Sequence, residues 1–308
     1  MPSPSDWSRR ACPCRRPCLP NPRYLHSGGR LRLGLGAALV AGLVTPGFAS
    51  GQWVEPPGLG WASVAFYGQN SRSVYLANGD KGSFVLDGQT RALSIYVTGV
   101  IGVVPGVDVW LQPSFHRLRF EDLTGTRVST GPGDTRLYVR AAPLSWLGED
   151  LPLALRAGVK LPVGDFDVGQ ELIPLGDGQR DWELILELGQ SLYPRPLYLM
   201  GWLGRRWRES TDDPPRDFGD EWFFLAAVGG DVGRWGYKAS VEGWFGETPQ
   251  FGGLNAQGQE REMVRIGISA SPRLGPGSLE VGARIPLMGK NLPAGTELVA
   301  GYFLRFGG

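Results

Sequence analysis

Residues 151–161 read Leu151-Pro152-Leu153-Ala154-Leu155-Arg156-Ala157-Gly158-Val159-Lys160-Leu161. Leu151, Leu153, Leu155, Ala157, Val159 and Leu161 fall on one side of an extended chain, and Arg156, Gly158 and Lys160 on the other. A period of two marks a strand with unlike faces, because successive side chains point to opposite sides of the pleat. Leu137, Val139 and Ala141 alternate in the same way with Arg136, Tyr138 and Arg140. So do Trp182, Leu184, Leu186 and Leu188 with Glu183, Ile185 and Glu187, and Leu279, Val281, Ala283, Ile285 and Leu287 with Glu280, Gly282 and Arg284. No convincing helix follows Gly58.

Outward from this stretch, twelve such segments are expected at 58–68, 90–101, 107–120, 133–145, 151–161, 180–191, 196–208, 219–231, 235–245, 260–271, 277–287 and 296–306. Most exceed the roughly five or six residues of a soluble strand and match the roughly 9–11 tilted residues that cross a bilayer. The connections alternate long and short without exception. The short ones, at 102–106, 146–150, 193–195, 231–234 and 271–275, carry the Gly and Pro that tight turns need. A sandwich has no cause to alternate. A transmembrane barrel has tight turns at one end and long loops at the other. The expected fold is therefore all-β, an antiparallel up-and-down transmembrane barrel of about twelve strands, closed because an open edge leaves backbone donors and acceptors without partners in hydrocarbon. Trp146, Trp182, Trp207, Trp222, Trp235, Phe245 and Phe306 sit near segment ends, where interfacial girdles are expected, whereas Trp110 and Trp202 do not.

The first fifty residues differ from the rest. Arg30 and Arg32 precede a short apolar run, Leu33 to Val44, followed by Pro46, Gly47, Phe48, Ala49 and Ser50. That is a basic region, an apolar region and a small-residue cleavage site. Residues 1–51 are therefore expected to be a leader for export, long in its basic part, and 52–308 the barrel. Cys12, Cys14 and Cys18 lie among Arg and Pro in the leader, at a spacing poor for a tetrahedral metal site.

The 308 residues hold 31 Lys+Arg, 30 Asp+Glu, 47 Gly, 3 Cys and 2 His. Near-balanced charge excludes a nucleic-acid binder held by gross electrostatics, and no apolar run is long enough for a bundle of membrane helices. Residues 1–49 contain seven Arg and one Asp, so the remainder has 24 basic and 29 acidic residues, a net of −5. It has no Cys and one His, His116. Neither a cofactor nor a metal is called for.

If the apolar face meets lipid, the other face lines a lumen, because a mid-membrane Arg or Lys facing lipid costs about 2–4 kcal/mol. The candidate lumen cluster is Arg136, Tyr138, Arg140, Arg156, Lys160, Glu183 and Glu187. Antiparallel arithmetic allows one register that pairs Lys160 with Glu183 and Arg156 with Glu187. Between the preceding two segments the same arithmetic sets Arg136 opposite Lys160 and Arg140 opposite Arg156. The expectation is a basic ladder neutralised on one side by Glu183 and Glu187, acting in solute selectivity or in holding the wall together.

A family resemblance covers roughly a quarter of the chain. Gly133-Asp134 opens a strand ending near Pro143-Leu144, and Leu155 to Asp165 ends in Lys160-Leu161-Pro162-Val163-Gly164-Asp165. Pro174-Leu175-Gly176-Asp177-Gly178-Gln179 precedes Asp181-Trp182, and Gly201 to Arg208 follows with basic residues. This run resembles the outer-membrane barrels of the MetA-pathway of phenol degradation family. The resemblance implies a Gram-negative outer-membrane barrel for passive uptake of small, often aromatic or hydrophobic, compounds, with no catalytic residues. Lipid and lipopolysaccharide are the expected surroundings, and Tyr302, Leu304 and Phe306 form an alternating end for the barrel assembly machinery to read, followed by Gly307 and Gly308.

Pro162 removes a ladder donor and ends its strand at the rim. The loop 162–179 is the best candidate to fold over or into the pore. Its acids Asp165, Asp167, Glu171 and Asp177 are either solvated or a divalent-cation site. Two other classes stay open. Ser114 and His116 share a face two residues apart, the minimum for an outer-membrane lipid hydrolase. A lumen filled by long charged side chains would instead be a pore-less structural barrel.

Overall fold

The computed structural model describes residues 54–148, 152–164, 173–212 and 215–307. The leader expected over 1–51, with its three cysteines, lies outside the described residues, as do Asp165, Asp167 and Glu171. The main strands are β1 (Gly60–Ser71), β2 (Gln89–Val104), β3 (Val107–Gln112 and Ser114–Asp122), β4 (Gly125–Pro132 and Thr135–Ala141), β5 (Leu153–Leu161), β6 (Asp181–Ser191), β7 (Leu197–Arg208), β8 (Glu221–Val232), β9 (Trp235–Gly246), β10 (Glu262–Leu274), β11 (Gly277–Lys290) and β12 (Glu297–Phe306). Each pairs antiparallel with the next, and β1 pairs with both β2 and β12, which closes a 12-strand barrel.

The breaks in β3 and β4 have local causes. Pro113 has no N–H to give the ladder, yet its carbonyl still accepts from Val97, so pairing resumes at Ser114. Gly133 and Asp134 interrupt β4 beside it. The fourth strand was expected at 133–145 with a long connection before it. It starts instead at Gly125, and only Leu123 and Thr124 separate it from β3. Asp122 caps that turn, with Oδ1 accepting from Thr124 N at 2.8 Å, and Gly125 supplies a φ of 145°. The Ser- and Thr-rich upper piece lacks a clean apolar alternation because it pairs with β3 alone, beyond the reach of β5. After Ala141 the chain leaves the sheet in a 3-10 turn, Pro143–Leu147. Alternation of long and short connections therefore fails on both sides of β4, where the β3–β4 hairpin is tight and 11 residues separate Ala141 from Leu153.

The other long connections share that hairpin's end of the barrel, and the described chain ends, Val54 and Gly307, lie at the opposite, short-turn end. The two faces divide as the period of two requires. On β6, Trp182, Leu184, Leu186 and Leu188 are exposed, while Asp181 and Ile185 are almost wholly buried, at 0% and 1%. That is the reverse of a water-soluble protein and the arrangement a closed barrel adopts in lipid. Trp182 pairs with Trp207, and Trp222 with Phe245, on the outer surface toward the long-loop end. Trp146, Trp235 and Phe306 are exposed toward the short-turn end. Trp110 and Trp202 point inward, and both line an internal cavity.

Candidate lumen site

All seven residues of the candidate cluster project into the barrel from β4, β5 and β6. Arg136 stands opposite Lys160 and Arg140 opposite Arg156, so cations of adjacent strands face one another. Between them Tyr138 stands opposite Gly158. A Cβ at Gly158 would collide with the Tyr138 ring and the Leu137 carbonyl, so only glycine lets the ring lie against β5. Tyr138 then donates to Glu183 Oε2 at 2.6 Å.

The register between β5 and β6 differs from the one expected. Lys160 lies opposite Asp181, Glu183 opposite Gly158, and Glu187 opposite Ala154. A shift of two residues keeps every side chain on its own face, so face alternation cannot distinguish the two registers. Lys160 therefore does not pair with Glu183. Its Nζ lies 2.7 Å from Asp181, 2.9 Å from Asp177 and 3.1 Å from Asp134. Arg156 still reaches Glu187 along the diagonal, at 2.8 Å.

Two ionic layers result. Toward the long-loop end, Arg206 bridges Glu183 and Glu221 at 2.7 and 2.6 Å, and Arg208 binds Glu221 at 2.7 Å. Arg136 lies 3.9 Å from Glu183, and Arg261 lies 3.6 Å from Asp177. Closer to the short-turn end, Arg140 binds Asp108 at 2.6 Å and Glu187 at 3.2 Å. The ladder is thus neutralised from both sides, by Asp108 of β3 as well as by the acids of β6. Trp110 has the guanidinium carbons of Arg140 and Arg156 at 4.9 and 4.6 Å from its ring centroid, and donates Nε1–H to Asp108 at 2.8 Å. Across the lumen, Arg265 and Arg284 share Glu242 and Glu297, at 2.8–3.1 Å, and Lys238 meets Glu280 at 2.7 Å.

A cavity of about 380 Å³ lies among these groups. Its walls combine charge (Arg140, Arg156, Glu187) with apolar side chains from β7 and β8 (Met200, Trp202, Leu225). Residues before β1 reach the same space at the short-turn end. Glu55 is 4% exposed, donates its N–H to Asp108 at 2.9 Å, and binds Arg305 at 2.8 Å. The described part of loop 162–179 folds inward at the other end, burying Leu175 and Gln179. Burial opposes ionisation of Asp177, but Lys160, Arg208 and Arg261 outweigh it and hold the carboxyl well below the usual carboxylate range.

Sequence reasoning passed over Asp108, Asp134, Glu221 and Glu55 as site residues. Asp108 carried a usable signal, since Asp108, Trp110 and Gln112 alternate with Val107, Val109 and Leu111. Glu55 carried none, because it precedes the first strand.

Ser114 and His116 do come together, with Ser114 Oγ 3.0 Å from His116 Nε2. Ser114 donates its one proton to the Asp134 carbonyl at 2.8 Å, so the imidazole acts toward it as donor rather than base. The other ring nitrogen lies 2.8 Å from Ser94 Oγ, not from a carboxylate. This arrangement ties β3 to Ser94 of β2 and to the Asp134 carbonyl at the β4 break.

The sequence matches no family model and no curated protein. The fold is similar to the crystal structure of an outer membrane channel from Pseudomonas putida F1, with TM-score 0.67 and 16% identity over 85% of this chain and 100% of that one. The β domain of the Bordetella autotransporter BrkA follows at TM-score 0.49 and 11% identity, over 81% of this chain and 100% of that one. The Pseudomonas putida toluene transporter TodX gives TM-score 0.40 and 7% identity, over 88% and 93%. The likeness to the first establishes the architecture, a closed antiparallel barrel of the Gram-negative outer-membrane type.

Proposed function

We propose that this barrel is an outer-membrane channel for passive passage of a small solute. The observation that carries the reading is the division of its walls. A continuous apolar exterior surrounds an interior of paired charges that leaves a cavity of about 380 Å³. A barrel needed only as a membrane anchor has no use for such a space. The reading includes export behind a leader, insertion by the assembly machinery through Tyr302, Leu304 and Phe306, and an outer-membrane lipid and lipopolysaccharide environment. Preference for aromatic or hydrophobic solutes is what the family resemblance implies.

Purified protein in a planar bilayer tests the reading. Discrete current steps in potassium chloride support it. No current, together with no solute entry into proteoliposomes, refutes it in favour of a pore-less barrel. One observation favours that second reading, because the Lys160 layer and the Glu55 segment both reach into the lumen, one on each side of the cavity.

A further inference from the structure

The cations of the lumen ladder are not equivalent. Lys160 is committed to three carboxylates and is 2% exposed. Arg140 is held by Asp108 and Glu187 and is 5% exposed. Both are bound into the wall by charge-assisted hydrogen bonds, and freeing either would strand buried acids.

Arg136 and Arg156 differ from them. Among the described residues neither guanidinium makes a hydrogen bond. The nearest carboxylate to Arg136 is Glu183 at 3.9 Å, beyond hydrogen-bond range. Arg156 Nε lies 2.8 Å from Glu187 but outside hydrogen-bond geometry, and remains a buried donor without an acceptor. Two rings flank it, with the guanidinium carbon 4.6 Å from the Trp110 centroid and 4.9 Å from that of Tyr138. A cation–π contact occupies none of the N–H donors with an acceptor, and Arg156 lines the cavity. On adjacent strands, Arg136 stands at the Lys160 level and Arg156 at the Arg140 level, one to either side of Tyr138.

We propose that Arg136 and Arg156 are two successive docking points for the carboxylate of a small organic acid crossing this lumen. A planar fork of donors matches a carboxylate in two parallel bonds. The apolar body of the solute has a place beside Arg156, against Met200, Trp202 and Leu225 of the same cavity. Within the ladder Lys160 and Arg140 are hydrogen-bonded to carboxylates, and the forks of Arg136 and Arg156 are the donors it presents to a passing solute. The inference rests on the channel reading and names the class of solute that the channel takes.

The test uses the full-length barrel in planar bilayers with benzoate as probe and benzyl alcohol as its uncharged counterpart. Steps in potassium chloride come first, because their absence defeats the channel reading itself and leaves the docking points nothing to act on. With steps present, benzoate is expected to interrupt the current in a concentration-dependent way and benzyl alcohol is not. Arg156→Gln should raise the half-blocking benzoate concentration about tenfold or more, as loss of a charge-assisted pair requires. Arg156→Lys, which keeps charge and loses the fork, should fall between, and Arg136→Gln should slow benzoate entry. Heat-modifiable gel migration identifies any variant that has not folded. Equal block by the two probes, or block unchanged in folded Arg156→Gln and Arg136→Gln, overturns the proposal while leaving the channel intact.

Discussion

Replacing Lys160 by Met removes the one ammonium shared by Asp134, Asp177 and Asp181 and leaves a side chain of similar length. Asp181 is 0% exposed, so its charge has no route to water. The nearest remaining cations, Arg206 and Arg208, stand 3.9 and 4.0 Å from it and are already engaged by Glu221. Breaking a buried pair by removing one partner costs about 3–5 kcal/mol, because the other charge stays buried and uncompensated. Three acids around one cation place Lys160→Met toward the upper end of that range. The assay is urea unfolding of the barrel in lipid vesicles, followed by tryptophan emission, with Asp181→Asn and the double variant completing a cycle. The double variant should recover much of the loss. A Lys160→Met barrel within about 1 kcal/mol of the parent, on a scale where exposed pairs contribute about that or less, would refute the view that this layer locks the wall.

Other consequences follow from the same geometry. Gly158→Ala places a methyl against the Tyr138 ring and should cost about 1–3 kcal/mol by overpacking, with loss of the Tyr138–Glu183 hydrogen bond visible in a changed tyrosine environment; an unaffected unfolding curve would contradict it. Asp177 has a folded-state pKa held below the unfolded value, so its contribution is present above the ordinary carboxylate pKa of about 4 and disappears as pH falls through the lower folded value. The parent should therefore lose stability on acidification below about pH 4, and Asp177→Asn should flatten that loss; parallel pH profiles would exclude the role. Purified barrel should release no more nitrophenol from acyl esters than Ser114→Ala does, and a Ser114-dependent rate would reopen the hydrolase reading.

Legibility varied along the chain with the strength of the face pattern. Leu155, Ala157 and Val159 against Arg156, Gly158 and Lys160 left one strand assignment, and antiparallel closure followed from repeating it. The placement of Arg136 opposite Lys160 was readable because β4 and β5 each carry two cations at equal spacing. The β5–β6 register was not, because Lys160 can meet Glu183 or Asp181 without changing face. The upper half of β4 was hidden because it has no partner on one side and thus no lipid-facing stripe to encode. Asp177 was assigned to a loop, where it is. Its descent to Lys160 is a tertiary contact that no local pattern records.

Glu55 and Arg305 lie 250 residues apart and meet where β1 joins β12. Among the described residues Arg305 is the one cation in an ion pair with Glu55, so the last strand supplies the charge that faces the segment before the first. The seam that closes the circle is thus fastened by a charge pair as well as by its ladder of backbone bonds.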